Sequence, residues 1–232
     1  MKLDFPLHEP GNSLLGALAD TIKKYYPEGI DIYSEDYSEH PARVEVRKII
    51  NENFMWHMVG IEQGQAGKAF SAFFDELKQY SNNELLTADG AMGPGFSVSV
   101  VLERYQEAST ERIKRIACAI SALGPFFSVC GIDETIIKLD GIPHPAINVV
   151  TKSPYKEFED WFKYVEQVVR KHFPDYRFVP FEICMMALKD VEIPFWAGHD
   201  DTVYAALFNM SFQHYGHSYP RGDWYTGIGK SL

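Results

Sequence analysis

The feature that most limits the fold of this chain is a break in its hydrophobic periodicity. Asp89-Gly-Ala-Met-Gly-Pro-Gly95 packs glycines and a proline so densely that no regular element can pass through it. Before this break, apolar residues recur at helical spacing. Leu14, Leu15, Leu18, Ile22 and Tyr25 follow an Asn12 or Ser13 N-cap and stop before Pro27. Val46, Ile49, Ile50 and Phe54 follow Pro41, although Val44-Glu45-Val46 also reads as extended. Phe70, Phe73, Phe74, Leu77 and Tyr80 then precede Asn82-Asn83. After the break, Phe96, Val98, Val100 and Leu102 alternate with Ser97, Ser99, Val101 and Glu103, the period of two of a half-buried strand. The expected organisation is a helix-rich N-terminal region, 1–88, packed on an α+β core, 89–232, within one compact domain.

Within the core, a Ser109 or Thr110 cap followed by Ile113, Ile116, Ala117, Ile120 and Leu123 predicts a helix that stops at Gly124-Pro125. Strands are expected at 126–130, 135–139 and 146–150. Ser153-Pro154 opens a second helix, with Phe158, Trp161, Phe162, Val165, Val168 and Val169 on one face and Pro174 at its end. A strand bent at Pro180 is expected over 176–188, and a last apolar run over 203–208. The predicted fold is therefore α+β, an antiparallel or mixed sheet with its helices on one face. The order strand, helix, strand, strand, helix, strand over 96–188 matches a ferredoxin-like βαββαβ core, but the strand near residue 148 leaves the topology open.

Composition narrows the function classes. With 46% hydrophobic and 14% aromatic residues the chain has enough apolar surface to offset the entropy of ordering, which excludes a disordered class. No run of about 18 apolar residues is long enough for a bilayer, and Asp4 and Pro6 interrupt the start in a way no signal peptide tolerates. Cys118, Cys130 and Cys184 all lie among apolar neighbours and are expected to be free and buried, which suits a reducing, cytoplasmic setting. The net charge of −10 repels nucleic acid. Arg104, Arg112, Lys114 and Arg115 form the best basic stripe, short and without aromatic partners, and read as a solvated helix face.

Catalytic motifs are scarce. Gly227-Ile-Gly-Lys-Ser231 resembles the tail of a phosphate loop, but Trp224 stands where glycine is needed and no helix can follow. Ser218 lacks the second glycine and the helix of a nucleophile elbow, since Pro220 and Arg221-Gly222 follow it. His199, Asp200 and Asp201, with His214 and His217 further on, carry the right donors for a metal-dependent enzyme, but Gly216 and Pro220 oppose the helix that would align the histidines. No catalytic set, metal or cofactor is assigned.

One segment agrees with the global charge. From Glu28 to Glu39 there is no Lys or Arg, and Tyr33 and Tyr37 are interleaved with carboxylates. Asp31, Tyr33, Glu35, Asp36, Tyr37 and Glu39 are the expected partner-binding residues, aromatic rings giving contact area and acids pairing with a basic partner. An ordinary solvated loop would look the same. The expectation is a binding or inhibitor protein that neutralises a basic protein, as bacterial immunity proteins neutralise toxins. A metalloenzyme built on His199, Asp201, His214 and His217, and a structural or assembly subunit, are the competing classes.

Overall fold

The computed structural model describes residues 13–29, 39–59, 64–80, 83–87, 93–189, 191, 193, 201–209 and 212. Three helices come first: α1 (Leu14–Tyr25), α2 (Pro41–Val59) and α3 (Gly64–Tyr80). The Ser13 hydroxyl caps α1 by accepting from the Gly16 amide at 2.9 Å. The strands follow, β1 (Leu85–Leu86), β2 (Gly95–Glu107), β3 (Thr110–Ser121), β4 (Phe126–Leu139) and β5 (Ile142–Thr151). Next come a 3-10 turn (Lys156–Phe158), α4 (Glu159–His172), β6 (Arg177–Phe178), α5 (Phe181–Cys184) and α6 (Val203–Leu207).

The fold is α+β with a mixed sheet. Strands β1 to β5 lie in sequential antiparallel order, and β6 adds a short parallel pairing at Phe126–Phe127 of β4. This is a meander, and it corrects the ferredoxin-like expectation. Residues 110–123 form strand β3 and a turn, not a helix. The two strands expected at 126–130 and 135–139 are one continuous β4. The expected strand over 176–188 is two residues of β6 followed by α5, and the last apolar run is helical.

Helices cover both faces of the sheet, where one covered face was expected. On one face α3 and α4 place Phe70, Phe73, Leu77, Phe162, Val165 and Val169 against Phe96, Val98, Val100, Ile116, Ile120, Phe127 and Val129. On the other, α1, α5 and α6 pack against Ala119, Phe126, Cys130, Ile132 and Val150. Helix α2 ties the layers together, with Val46, Ile49 and Ile50 in the second cluster and Trp56 in the first. Coverage of both faces explains β3: a central strand buried on both sides is apolar at consecutive positions, Ile116 to Ile120, and such a run carries no clean alternation.

Close approach is built in at Gly131. A Cβ there would lie 2.7 Å from the Phe158 ring, so the glycine lets the turn before α4 settle onto the sheet. The three cysteines are free and buried, as expected. Burial pushes the Cys130 and Cys184 thiols up to about 12 and raises Cys118 too, which opposes the thiolate.

Candidate docking face at the free end of the sheet

The helices cover only one end of the strands. Both tight turns of the meander, Ala108-Ser109 and Asp140-Gly141, lie at the opposite end, where burial fades along β2, β4 and β5 and alternates on β3, Glu111 and Ile113 staying buried. Asp140 and Gly141 take φ values of 51° and 80°, the left-handed pair that a two-residue hairpin demands. Here β2 to β5 project past the helices as a four-stranded apron.

Register decides which side chains share a face of that apron. A bulge between Val101 and Glu103 shifts the alternation of β2, so that Glu103, Tyr105 and Glu107 lie opposite Lys114, Arg112 and Thr110. Across β3, β4 and β5, Thr110 pairs with Ile137, Ile137 with His144, and Leu139 with Ile142. Since cross-strand partners point the same way, Tyr105, Ile137, Leu139 and Ile142 all emerge on the face that carries α3 and α4 farther along. They are 62%, 44%, 56% and 60% exposed. These four are apolar and large, and they share one surface.

The opposite face of the apron is mixed, with buried Ile113 and half-buried Ile136 among its charged residues. Arg104 bridges Glu111 and also Glu84, the latter at 2.7 Å, and Lys138 reaches Glu111 at 3.6 Å. Arg115 and Glu134, both almost fully buried, pair at 3.1 Å, with the Ser99 hydroxyl accepting from Arg115 at 2.9 Å.

Ion pairs also occur on the apolar face, at its inner margin. Arg112 grips Asp133 through two nitrogens at 2.9 and 2.5 Å, and Asn148 donates to the same carboxylate at 3.2 Å. Burial would raise the Asp133 carboxyl, but the bonds from Arg112 and Asn148 outweigh it and hold the group below its ordinary value. Lys114 is shared by Glu103 at 3.0 Å and Glu157 at 3.2 Å. Burial lowers the Lys114 ammonium, and its two carboxylate partners more than reverse that, leaving it raised. Glu107 accepts from the Tyr105 hydroxyl at 3.0 Å, and Asp140 stands exposed in the turn. The margin therefore carries surplus negative charge: Glu103, Glu107, Asp133, Asp140 and Glu157 against Arg112, Lys114 and Lys156.

The basic stripe read from the sequence does not exist as a surface. Arg104 and Arg115 lie on one face of the sheet, Arg112 and Lys114 on the other, and each is ion-paired. Of the acidic segment, Asp31, Tyr33, Glu35, Asp36 and Tyr37 lie outside the described residues, and Glu39 is exposed just ahead of α2. His199, Asp200, His214 and His217 also lie outside them, as do Ser218 and Gly227 to Ser231. Asp201 is half-buried and its carboxylate accepts from the Ile193 amide at 3.1 Å, a local tie between two loop segments. Among the described residues no group of His, Cys, Asp or Glu is arranged to hold a metal, and no helix is long and apolar enough to cross a membrane.

The docking face was not anticipated from the sequence, though one signal for it was present. Asp140-Gly141 flanked by Leu139 and Ile142 is a strong hairpin signature. No family model matches this chain, and neither a curated protein nor a solved structure matches it.

Proposed function

We propose that this protein is a binding protein, an inhibitor of the kind that neutralises a basic protein partner in a reducing compartment, and that the partner docks on the apolar face of the apron. The observation that carries this reading is the convergence of Tyr105, Ile137, Leu139 and Ile142, all exposed, on one face. Large side chains on a water-facing sheet are expected to be replaced by polar ones unless something meets them. A basic partner follows from the surplus carboxylates at the margin and from the net charge of −10, which would steer such a partner toward the site. Free, buried thiols suit the reducing setting. The acidic segment containing Asp31, Tyr33, Glu35, Asp36, Tyr37 and Glu39 remains part of the proposal as a second contributor of charge.

The test is a paired retention experiment in extract of the native host. Wild-type protein and a Leu139→Asp, Ile142→Asp variant are immobilised side by side. A stoichiometric basic protein held by the wild type and lost from the variant supports the reading. A partner held equally by both removes the apron from it, and a stoichiometric acidic partner removes the charge argument.

A further inference from the structure

The apron restricts the shape of whatever binds it. A partner can add a strand to a sheet edge or lay side chains on a sheet face. Along β5 the first mode is blocked. The Leu139–Ile142 pair closes a two-residue hairpin and exchanges its hydrogen bonds internally, so Ile142, His144 and Ala146 turn their amides toward β4. The outward positions are then Pro143 and Pro145, which have no N–H to offer. Along β2, the Val101 amide already bonds the Glu84 carbonyl at 2.9 Å, and the Arg104 side chain reaches across that edge to Glu84. Only the short, charged stretch from Glu103 to Glu107 is left on that side.

The face itself has the dimensions of a helix seat. Tyr105 on β2 and Ile137 on β4 are separated by two strand spacings and a two-residue stagger, roughly 12 Å, about the width of a helix with its side chains. Ile137 and Leu139 are about 7 Å apart along β4, a little more than one helical turn. The same face already carries α3 and α4 over its inner half, so an added helix would continue an existing layer. Arg112 is held by Asp133 and Lys114 by Glu103 and Glu157, and Lys156 stands beside Glu157 and over the Tyr155 ring, while Glu107 and Asp140 lack a cationic partner among the described residues. A second copy of this chain would bring the same surplus of negative charge and be repelled.

We infer that the occupant of this face is a basic amphipathic helix of the partner, seated beside α4 and not added as a strand. The inference rests on the docking role proposed above. It is tested with two synthetic peptides of identical leucine and lysine composition, each about fifteen residues long. One has the helical period of 3.6 and the other the strand period of two. Calorimetry against the full chain should show the helix-period peptide binding at one site, and about tenfold more tightly than the strand-period peptide. In an Ile137→Ser, Leu139→Ser variant its affinity should fall about tenfold or more. Tighter binding of the strand-period peptide, lost in the variant, overturns the helix and leaves the docking face standing. Binding of both peptides untouched by the variant overturns the helix and the docking face together. No binding of the helix-period peptide overturns the helix, and the retention experiment then judges the face alone.

Discussion

The two faces of the apron are made from the same four strands, yet they are built differently: on one, Glu111 and Ile113 of β3 stay buried, and on the other Thr110 and Arg112 of the same strand are exposed. One is tiled with ion pairs, Arg104 to Glu84 and Glu111 and Lys138 to Glu111. The other carries Tyr105, Ile137, Leu139 and Ile142, with Arg112 directly across from Tyr105 and further charges at the inner margin and rim. The Arg104–Glu84 pair is largely exposed and contributes little, about 0–1 kcal/mol, whereas the Glu111 carboxylate is buried and Arg104 and Lys138 offset its desolvation. The second face has its ion pairs, Arg112–Asp133 and Lys114–Glu103, toward the covered half. The contrast teaches that large apolar side chains stay exposed on one face at a depth where the reverse face already buries Glu111 and Ile113.

The largest effect should separate the covered half of the strands from the apron. Phe70 is fully buried, stacked on Phe96 at 4.8 Å and edge-on to Trp56 at 4.7 Å. Phe70→Ala should cost about 3–5 kcal/mol in urea unfolding, whereas Tyr105→Ala should stay within about 0.5 kcal/mol. Similar losses at both sites would mean that the apron face is packed against something within the chain.

Next in size is the opposite face. Glu134→Gln leaves the buried Arg115 facing a neutral partner and should cost about 3 kcal/mol. Lys138→Ala, which removes the longer of two pairs to the buried Glu111 and leaves Arg104 in place, should fall below about 1 kcal/mol. Unfolding midpoints of the two variants decide whether that face is stabilised at its inner end, as burial dictates.

A smaller effect follows from Asp133. Its carboxyl is depressed in the folded state, so its contribution is present above the ordinary carboxylate range, near about pH 4, and is lost as pH falls through the folded value. Arg112→Gln should therefore reduce stability at neutral pH and flatten the loss on acidification. An unchanged acid limb in that variant would show that Arg112 does not hold the carboxylate.

How much of this was legible beforehand depends on whether a residue's role is local. Helices α1 to α3 and strand β2 carry their own periodicity and caps, and the sequence places them well. Strand β3 does not, because Ile113, Ile116, Ala117 and Ile120 fit helical spacing while pairing on both sides supplies the real constraint. Strands β1 and β6 are two residues each and exist only through their partners. For the docking face, the Asp140-Gly141 turn was visible, but the exposure of Ile137, Leu139 and Ile142 was not. Apolar residues in a strand read as core until the reach of the covering helices is known. The expected acidic segment is local by construction, and only Glu39 of it falls among the described residues.

The central claim is that the apolar face, and not its reverse, meets the partner. With the basic partner recovered by the retention experiment, calorimetry on two variants tests it most directly. Ile137→Ser, Leu139→Ser, Ile142→Ser alters one face, and Arg104→Ser, Lys138→Ser alters the other. The account predicts that the first variant keeps its unfolding midpoint and weakens binding about a hundredfold, while the second binds within about twofold of wild type. Loss of binding in the second variant, with the first unaffected, would contradict it.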